Sequence, residues 1–225
     1  GKTTSCLVHV VEAPKNIVLS TPDNRTSFGV GESAQLSWTS DGGCEVSLQF
    51  KSSNSKIISV SSSGVIRARK AGKVTITAKA YNGASCFIKL TVVKAPSSVR
   101  LNADRNELGV GETLTLTATL TKGSAGGVEY ESDTPEVLRV NAQGEVTALK
   151  SGYATVTAVS YNGKRASRDF EVKAAPTAIV VTTDPLVLSA GDTVAVGAAP
   201  NSGSAGALYF RSLDTNIASV DAAGR

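Results

Sequence analysis

Between residues 113 and 120 the chain alternates. Leu114, Leu116, Ala118 and Leu120 take every second place, and Thr113, Thr115, Thr117 and Thr119 fill the places between. In a strand, successive side chains point to opposite faces, so this stretch predicts a strand with one dry and one wet side. Ala34, Leu36 and Trp38 repeat the pattern, as do Val194, Val196 and Ala198. Val74, Ile76 and Ala78 alternate with Thr75 and Thr77, and Ala154, Val156 and Ala158 with Thr155 and Thr157. Ile17-Val18-Leu19, Val99-Arg100-Leu101 and Ile179-Val180-Val181 predict further short strands, and Ile88, Leu90 and Val92 another. Turn signals part them. Gly29-Val30-Gly31-Glu32 and Gly109-Val110-Gly111-Glu112 recur as Ser189-Ala190-Gly191-Asp192. The acidic residue there reads as part of the turn. Tyr81-Asn82-Gly83 and Tyr161-Asn162-Gly163 carry the Asn-Gly signal of a tight hairpin. No helix longer than a turn or two is expected.

The elements come back in order. Ser52–Gly83 returns as Ser132–Gly163 and starts again at Ser212; Gly64, Gly144 and Gly224 are 80 residues apart. A fixed period of that length means an array of modules larger than common solenoid units. Ala13-Pro14, Ala95-Pro96 and Ala175-Pro176 read as stiff junctions, since proline restricts its predecessor to extended geometry. The expected division is 1–12, the last strand of a preceding repeat; 13–94 and 95–174, two repeats; and 175–225, the N-terminal part of a third. The last lacks counterparts of Lys73–Ala80 and Cys86–Val92, so it should expose strand edges and part of its core and be unstable alone. The natural chain is expected to continue past Arg225. Roughly seven short strands per repeat predict an all-β protein of tandem Greek-key β-sandwiches.

Several motifs recur together. Gly-Glu precedes the Leu-x-Leu strand, and an aromatic (Phe50, Tyr130, Phe210) precedes Ser-x-x. An apolar-x-Val segment leads to Gly64 and Gly144, and Ala71-Gly72 opens Val74-Thr75-Ile76-Thr77-Ala78. This set resembles the bacterial immunoglobulin-like domain, group 2, over almost the whole chain, with Phe or Tyr where the family usually has Trp. The resemblance implies immunoglobulin-like sandwiches in a cell-surface or secreted protein, often an adhesin stalk of the intimin and invasin kind. Similar modules occur in phage structural proteins and in the lumenal part of a nuclear-pore membrane glycoprotein.

Charge adds an asymmetry. The net +4 hides eleven Lys and Arg against four Asp and Glu in residues 13–94, nine against ten in 95–174, and two against four in 175–225. A basic first repeat could draw polyanions through its long-range field. Arg67 and Arg69 alternate on one strand, and Lys79 and Lys89 fall on strands of the opposite sheet, so the charge is expected to be spread around the repeat. No aromatics interleave it, and no nucleic-acid partner is expected. No apolar run reaches the ~18 residues of a membrane span.

Candidate chemistry is sparse: no catalytic residue, cofactor site or metal site is assigned. His9 is the sole histidine and cannot supply a zinc site. Asp133 and Asp214 lack the dense carboxylates of a calcium loop and read as turn residues. Trp38 reads as a large core residue among smaller neighbours. Asn24-Arg25-Thr26 is a glycosylation sequon, relevant in a eukaryotic source. Cys44 precedes the aromatic strand and Cys86 opens the last strand, at one end of such a sandwich, and the second repeat has Ser124 and Ala166 instead. A Cys44–Cys86 disulfide is therefore expected, which implies an oxidising compartment; the alternative is three reduced, half-buried thiols. Cys6 would pair with a residue upstream. The function expected is a non-catalytic spacer array whose partners are its own neighbouring repeats. The alternative is a module that binds a surface glycan or a host protein.

Overall fold

The computed structural model describes residues 3–5, 7, 12–41, 47–183 and 187–225, and it is built of strands. Among the described residues the longest helical feature is a 3-10 turn at Pro22–Asn24. The first repeat runs β1 (Ile17–Ser20), β2 (Ser27–Gly29), β3 (Ser33–Gln35), β4 (Ser37–Ser40), β5 (Leu48–Ser52), β6 (Ile58–Val60), β7 (Val65–Ala68), β8 (Gly72–Ala80) and β9 (Ser85–Val93). A four-stranded sheet has the order β2-β9-β8-β5, a three-stranded sheet the order β3-β7-β6, and β1 pairs with β4. β2 lies parallel to β9, while β8 and β9 form a long antiparallel hairpin.

The second repeat copies this. It runs β10 (Val99–Asn102), β11 (Glu107–Gly109), β12 (Thr113–Thr115), β13 (Thr117–Leu120), β14 (Val128–Ser132), β15 (Leu138–Val140), β16 (Glu145–Ala148), β17 (Gly152–Ser160) and β18 (Arg165–Lys173). Its sheets are β11-β18-β17-β14, β12-β16-β15 and β10-β13. Nine strands stand where the alternation predicted about seven, because the alternating run splits in two and a short strand, β2 or β11, forms ahead of the Gly-x-Gly turn. At Leu36 and Leu116 the backbone N–H turns to Gly64 O (3.0 Å) and Gly144 O (2.8 Å), so that β3 and β12 belong to one sheet and β4 and β13 to another. Side-chain alternation continues through the break, which is why the pattern alone does not reveal it.

Apolar side chains of the alternating strands meet between the sheets. Phe28, Leu36, Ile58, Ile66, Ile76 and Leu90 are almost wholly buried in the first repeat; Leu108, Leu116, Leu138, Val146, Val156 and Phe170 take that role in the second. Two positions trade volume. Phe28 with Leu90 corresponds to Leu108 with Phe170, so each core holds one ring and one leucine there. The glycines at 64 and 144 sit at φ +82° and +81°, under the rings of Phe50 and Tyr130, where a Cβ would press on the ring.

The chain forms two compact units. The first is Gly1–Ser98 with Leu120–Gly127 and Ser160–Lys164; the second is Val99–Thr119, Val128–Val159 and Arg165–Arg225. Two loops of the second repeat thus belong to the first unit. In the third repeat, β19 (Ile179–Val181) pairs with β20 (Ala198–Pro200). Ile179, Val181, Tyr209 and Ile217 are exposed there, as a sheet face without covering strands leaves them.

Candidate functional site: a carboxylate clamp at the repeat turn

After β2 the chain turns sharply, with Gly31 at φ +91° and Glu32 N–H donating to Gly29 O (3.0 Å). The turn folds the Glu32 side chain back into the protein, where it is 2% exposed. Its Oε2 accepts from Gly29 N–H (2.9 Å). Its Oε1 accepts from Arg25 Nη1 (2.9 Å) and from Gly127 N–H (2.8 Å), 95 residues on. A buried carboxylate needs such partners to offset its lost hydration. Arg25 is presented by the Pro22–Asn24 turn, in which Asp23 and Asn24 both hold positive φ. Its guanidinium carbon stands 5.0 Å from the centre of the Phe28 ring.

Tyr161 completes the arrangement. Its hydroxyl donates to Val30 O (2.8 Å), and its N–H bonds Gly127 O (3.0 Å). Burial first, and the Glu32 charge second, push the Tyr161 phenol above its ordinary pKa. Any Cβ at position 29 would overlap the Tyr161 hydroxyl and Ala125 O, so only glycine fits. All of these groups lie inside the first compact unit.

The second unit holds the same device. Glu112 Oε1 accepts from Arg105 Nη2 (3.0 Å) and Ala207 N–H (2.6 Å), and its Oε2 from Gly109 N–H (2.7 Å). Asp192, the third member, keeps the turn bond from Ser189 N–H (2.9 Å). Asparagines of the hairpin turns secure the junctions: Asn82 Nδ2 donates to Pro14 O (2.7 Å) and Asn162 Nδ2 to Pro96 O (2.8 Å). Asp41 caps the start of the first repeat, accepting from Lys15 N–H (2.8 Å) and Asn16 N–H (3.0 Å), and the Asn16 bond leads in holding its carboxyl below the usual range.

The turn reading of Glu32 and Glu112 was therefore incomplete. Each also grips a distant loop, and each has an arginine seven residues earlier. The recurrence of Arg25 and Arg105 at the 80-residue spacing was the available signal. Chemically the clamp recognises backbone N–H groups of its own chain. Each of its carboxylates accepts three such bonds or ion-pair contacts.

Asp133 Oδ1 accepts from Thr155 N–H (2.8 Å) and Thr134 Oγ1 (2.9 Å), and Asp214 Oδ1 from Asn216 N–H (2.9 Å), so both serve turns. Among the described residues no cluster of metal-ligating side chains occurs. Trp38 stands edge-on to Phe50, ring centres 5.4 Å apart, packed against the small cluster around Ile17 and Ala78. Cys86 is a free thiol, half-buried, with its pKa raised by that burial. The expected bond from Cys86 to Cys44 reaches a residue outside the described ones. Cys44, like Cys6 and His9, lies outside the described residues. The opposite-sheet placement of Arg67 and of Lys79 and Lys89 holds; within it, Lys51 and Lys73 join Lys79 and Lys89 on the outward face of one sheet, as the register of β5, β8 and β9 requires.

Residues 95–169 match the family model of the bacterial Ig-like domain (group 2). An uncharacterized protein of Clostridium acetobutylicum is 33% identical over 132 residues, covering 56% of this chain; the chain spans 13% of that relative's length. Among solved structures, domains 4 and 5 of the S-layer protein SbsC are 18% identical with a TM-score of 0.32, over 72% of this chain and 98% of that one. The Yersinia pseudotuberculosis adhesin InvE is 13% identical with a TM-score of 0.33, over 70% and 58%. An intimin mutant of EHEC O157:H7 is 16% identical with a TM-score of 0.30, over 39% and 51%.

Proposed function

We propose, from the premise that residues 95–169 are a bacterial Ig-like domain of group 2, that this chain is a non-catalytic spacer array in a cell-surface or secreted, adhesin-like protein. Its units are the repeats 13–94 and 95–174 and the start of a third at 175–225. The observation that carries the reading is the clamp. A carboxylate that accepts from three donors of its own chain, repeated at Glu32 and Glu112, is committed to holding that chain together. What it does is hold a distant loop against a turn, and it does so twice. Each clamp stiffens its own unit. A second reading, binding of a surface glycan or host protein, draws on the basic excess of residues 13–94.

An antibody raised against residues 95–174 tests the spacer reading. It should label intact source cells or their medium; labelling that needs permeabilised cells would end the surface assignment. Stretching the full chain between its ends should give separate unfolding steps, each releasing one repeat. Simultaneous loss of both repeats in every trace would argue against an array of independent spacers.

A further inference from the structure

One sheet face of the first repeat carries four lysines and no carboxylate among the described residues of β5, β8 and β9. On β5, β8 and β9 the inward positions are apolar except Ser52, and the outward positions are Gln49, Lys51, Lys73, Thr75, Thr77, Lys79, Ser85, Phe87, Lys89, Thr91 and Val93. All four lysines are exposed, and none is paired with a carboxylate among the described residues. Thr75 lies opposite Lys89 and Thr91 opposite Lys73, so these two lysines are diagonal neighbours. With Ser53, Thr75 and Thr91 they border a shallow groove of about 190 Å³. Lys51 lies opposite Thr77, which also faces Phe87, 64% exposed, and Lys79 follows two residues on. From Lys73 to Lys79 the row runs about 20 Å along the strand at ~3.3 Å per residue.

The fold does not ask for these lysines. At the matching places 80 residues on, the second repeat has Glu131, Tyr153, Val159 and Asp169, and it builds the same sheet with the same order. Four like charges on one face repel one another and contribute nothing to that sheet. Their summed field makes this face attractive to an anion.

We propose that this face binds a linear anionic polysaccharide, whose carboxylate or sulfate groups lie against Lys51, Lys73, Lys79 and Lys89. The row is too long for one small anion and suits a chain carrying charge at intervals. Lysine ammonium groups are mobile point charges, which tolerate the varied spacing of sugar acids, and the threonine and serine hydroxyls match sugar hydroxyls. A protein partner fits poorly, because interface centres are depleted in lysine and this face has a single aromatic anchor. Single-stranded nucleic acid would want a series of stacking rings, and Phe87 is the one ring among the outward positions of β5, β8 and β9. The proposal goes beyond the spacer reading and does not depend on it.

The full chain is passed over immobilised dextran sulfate, polygalacturonate and uncharged dextran. Binding is expected to the two charged polymers and not to the neutral one, and it should weaken as salt shortens the range of the charges. K51S/K73S/K79S/K89S should lose at least about tenfold in affinity. The arginine replacement at the same four sites should keep binding, and the pair K73S/K89S, with a loss of about threefold, decides the matter if the quadruple variant does not fold. R67S/R69S removes two positive charges from the other sheet and should change affinity less than about twofold. An equal loss for R67S/R69S would mean that net charge, not this face, binds. Equal binding to neutral dextran, or tighter binding to a single-stranded oligonucleotide, would also overturn the proposal.

Discussion

Replacing Glu32 by alanine tests the clamp most directly. The change removes an acceptor that serves Gly29 N–H, Arg25 Nη1 and Gly127 N–H. Hydrogen bonds to a charged group contribute about 1.5–3 kcal/mol each, but adding three such values overcounts, because released donors find substitutes. Arg25 is 25% exposed and has Asp23 within 4.0 Å, so it can turn toward water or that carboxylate at a cost of about 1 kcal/mol. Gly29 and Gly127 N–H sit behind the turn and lose about 1–1.5 kcal/mol apiece. The expected loss is therefore about 3–4 kcal/mol, a large part of a stability of ~5–15 kcal/mol. Glu32→Gln keeps one acceptor oxygen and should cost about 2 kcal/mol. Urea unfolding of the full chain, followed by the fluorescence of Trp38, reports the first repeat. Amide exchange at Gly127 reports the distant end of the clamp and should quicken at least about tenfold in Glu32→Ala. A destabilisation under about 0.5 kcal/mol, or an unchanged Gly127 amide, would refute the assignment of a working clamp.

Phe28→Leu should cost about 1–2 kcal/mol through the volume it leaves, and Leu90→Phe alone should overpack; the double variant should return to within about 1 kcal/mol of the parent, as the second repeat's Leu108 and Phe170 imply, and simple additivity would contradict the volume trade. Tyr161 is held above the ordinary phenol range of about pH 10, so its stabilisation is complete below that pH and is lost as pH rises through the folded value. Ultraviolet titration should show late tyrosines, Tyr161 and Tyr153 (the latter raised first by its hydrogen bond to Glu171), and Tyr161→Phe should remove one of them; titration of Tyr161 with free tyrosine would sink the point. For oxidised protein, a Cys44–Cys86 bond remains our proposal: reductant should lower the melting temperature of the first repeat and spare the second. The bond needs Cα atoms within about 7 Å, and an unchanged melt ends it.

Alternation and turn residues by themselves determined the strands. Thr-Leu-Thr patterns, Asn-Gly hairpins and the 80-residue return of Gly64 at Gly144 are local or near-local signals, and each repeat's core follows from them because burial must fall on the apolar side of a strand. The split of one alternating run into β12 and β13 was not legible, since crossing between sheets at Leu116 leaves the period of two intact. The lysine face was legible in part: the strand reading puts Lys79 and Lys89 on one sheet, and the register of three strands adds Lys51 and Lys73 to the same side. The clamp shows the limit most plainly. Gly-x-Gly-Glu announces a turn, and the turn forms. The partner that makes Glu32 more than a turn residue is a backbone N–H at Gly127, which every residue but proline possesses. A sequence marks the side chain that accepts; the donor, being main chain, carries no letter, and only the tertiary fold brings it to the carboxylate.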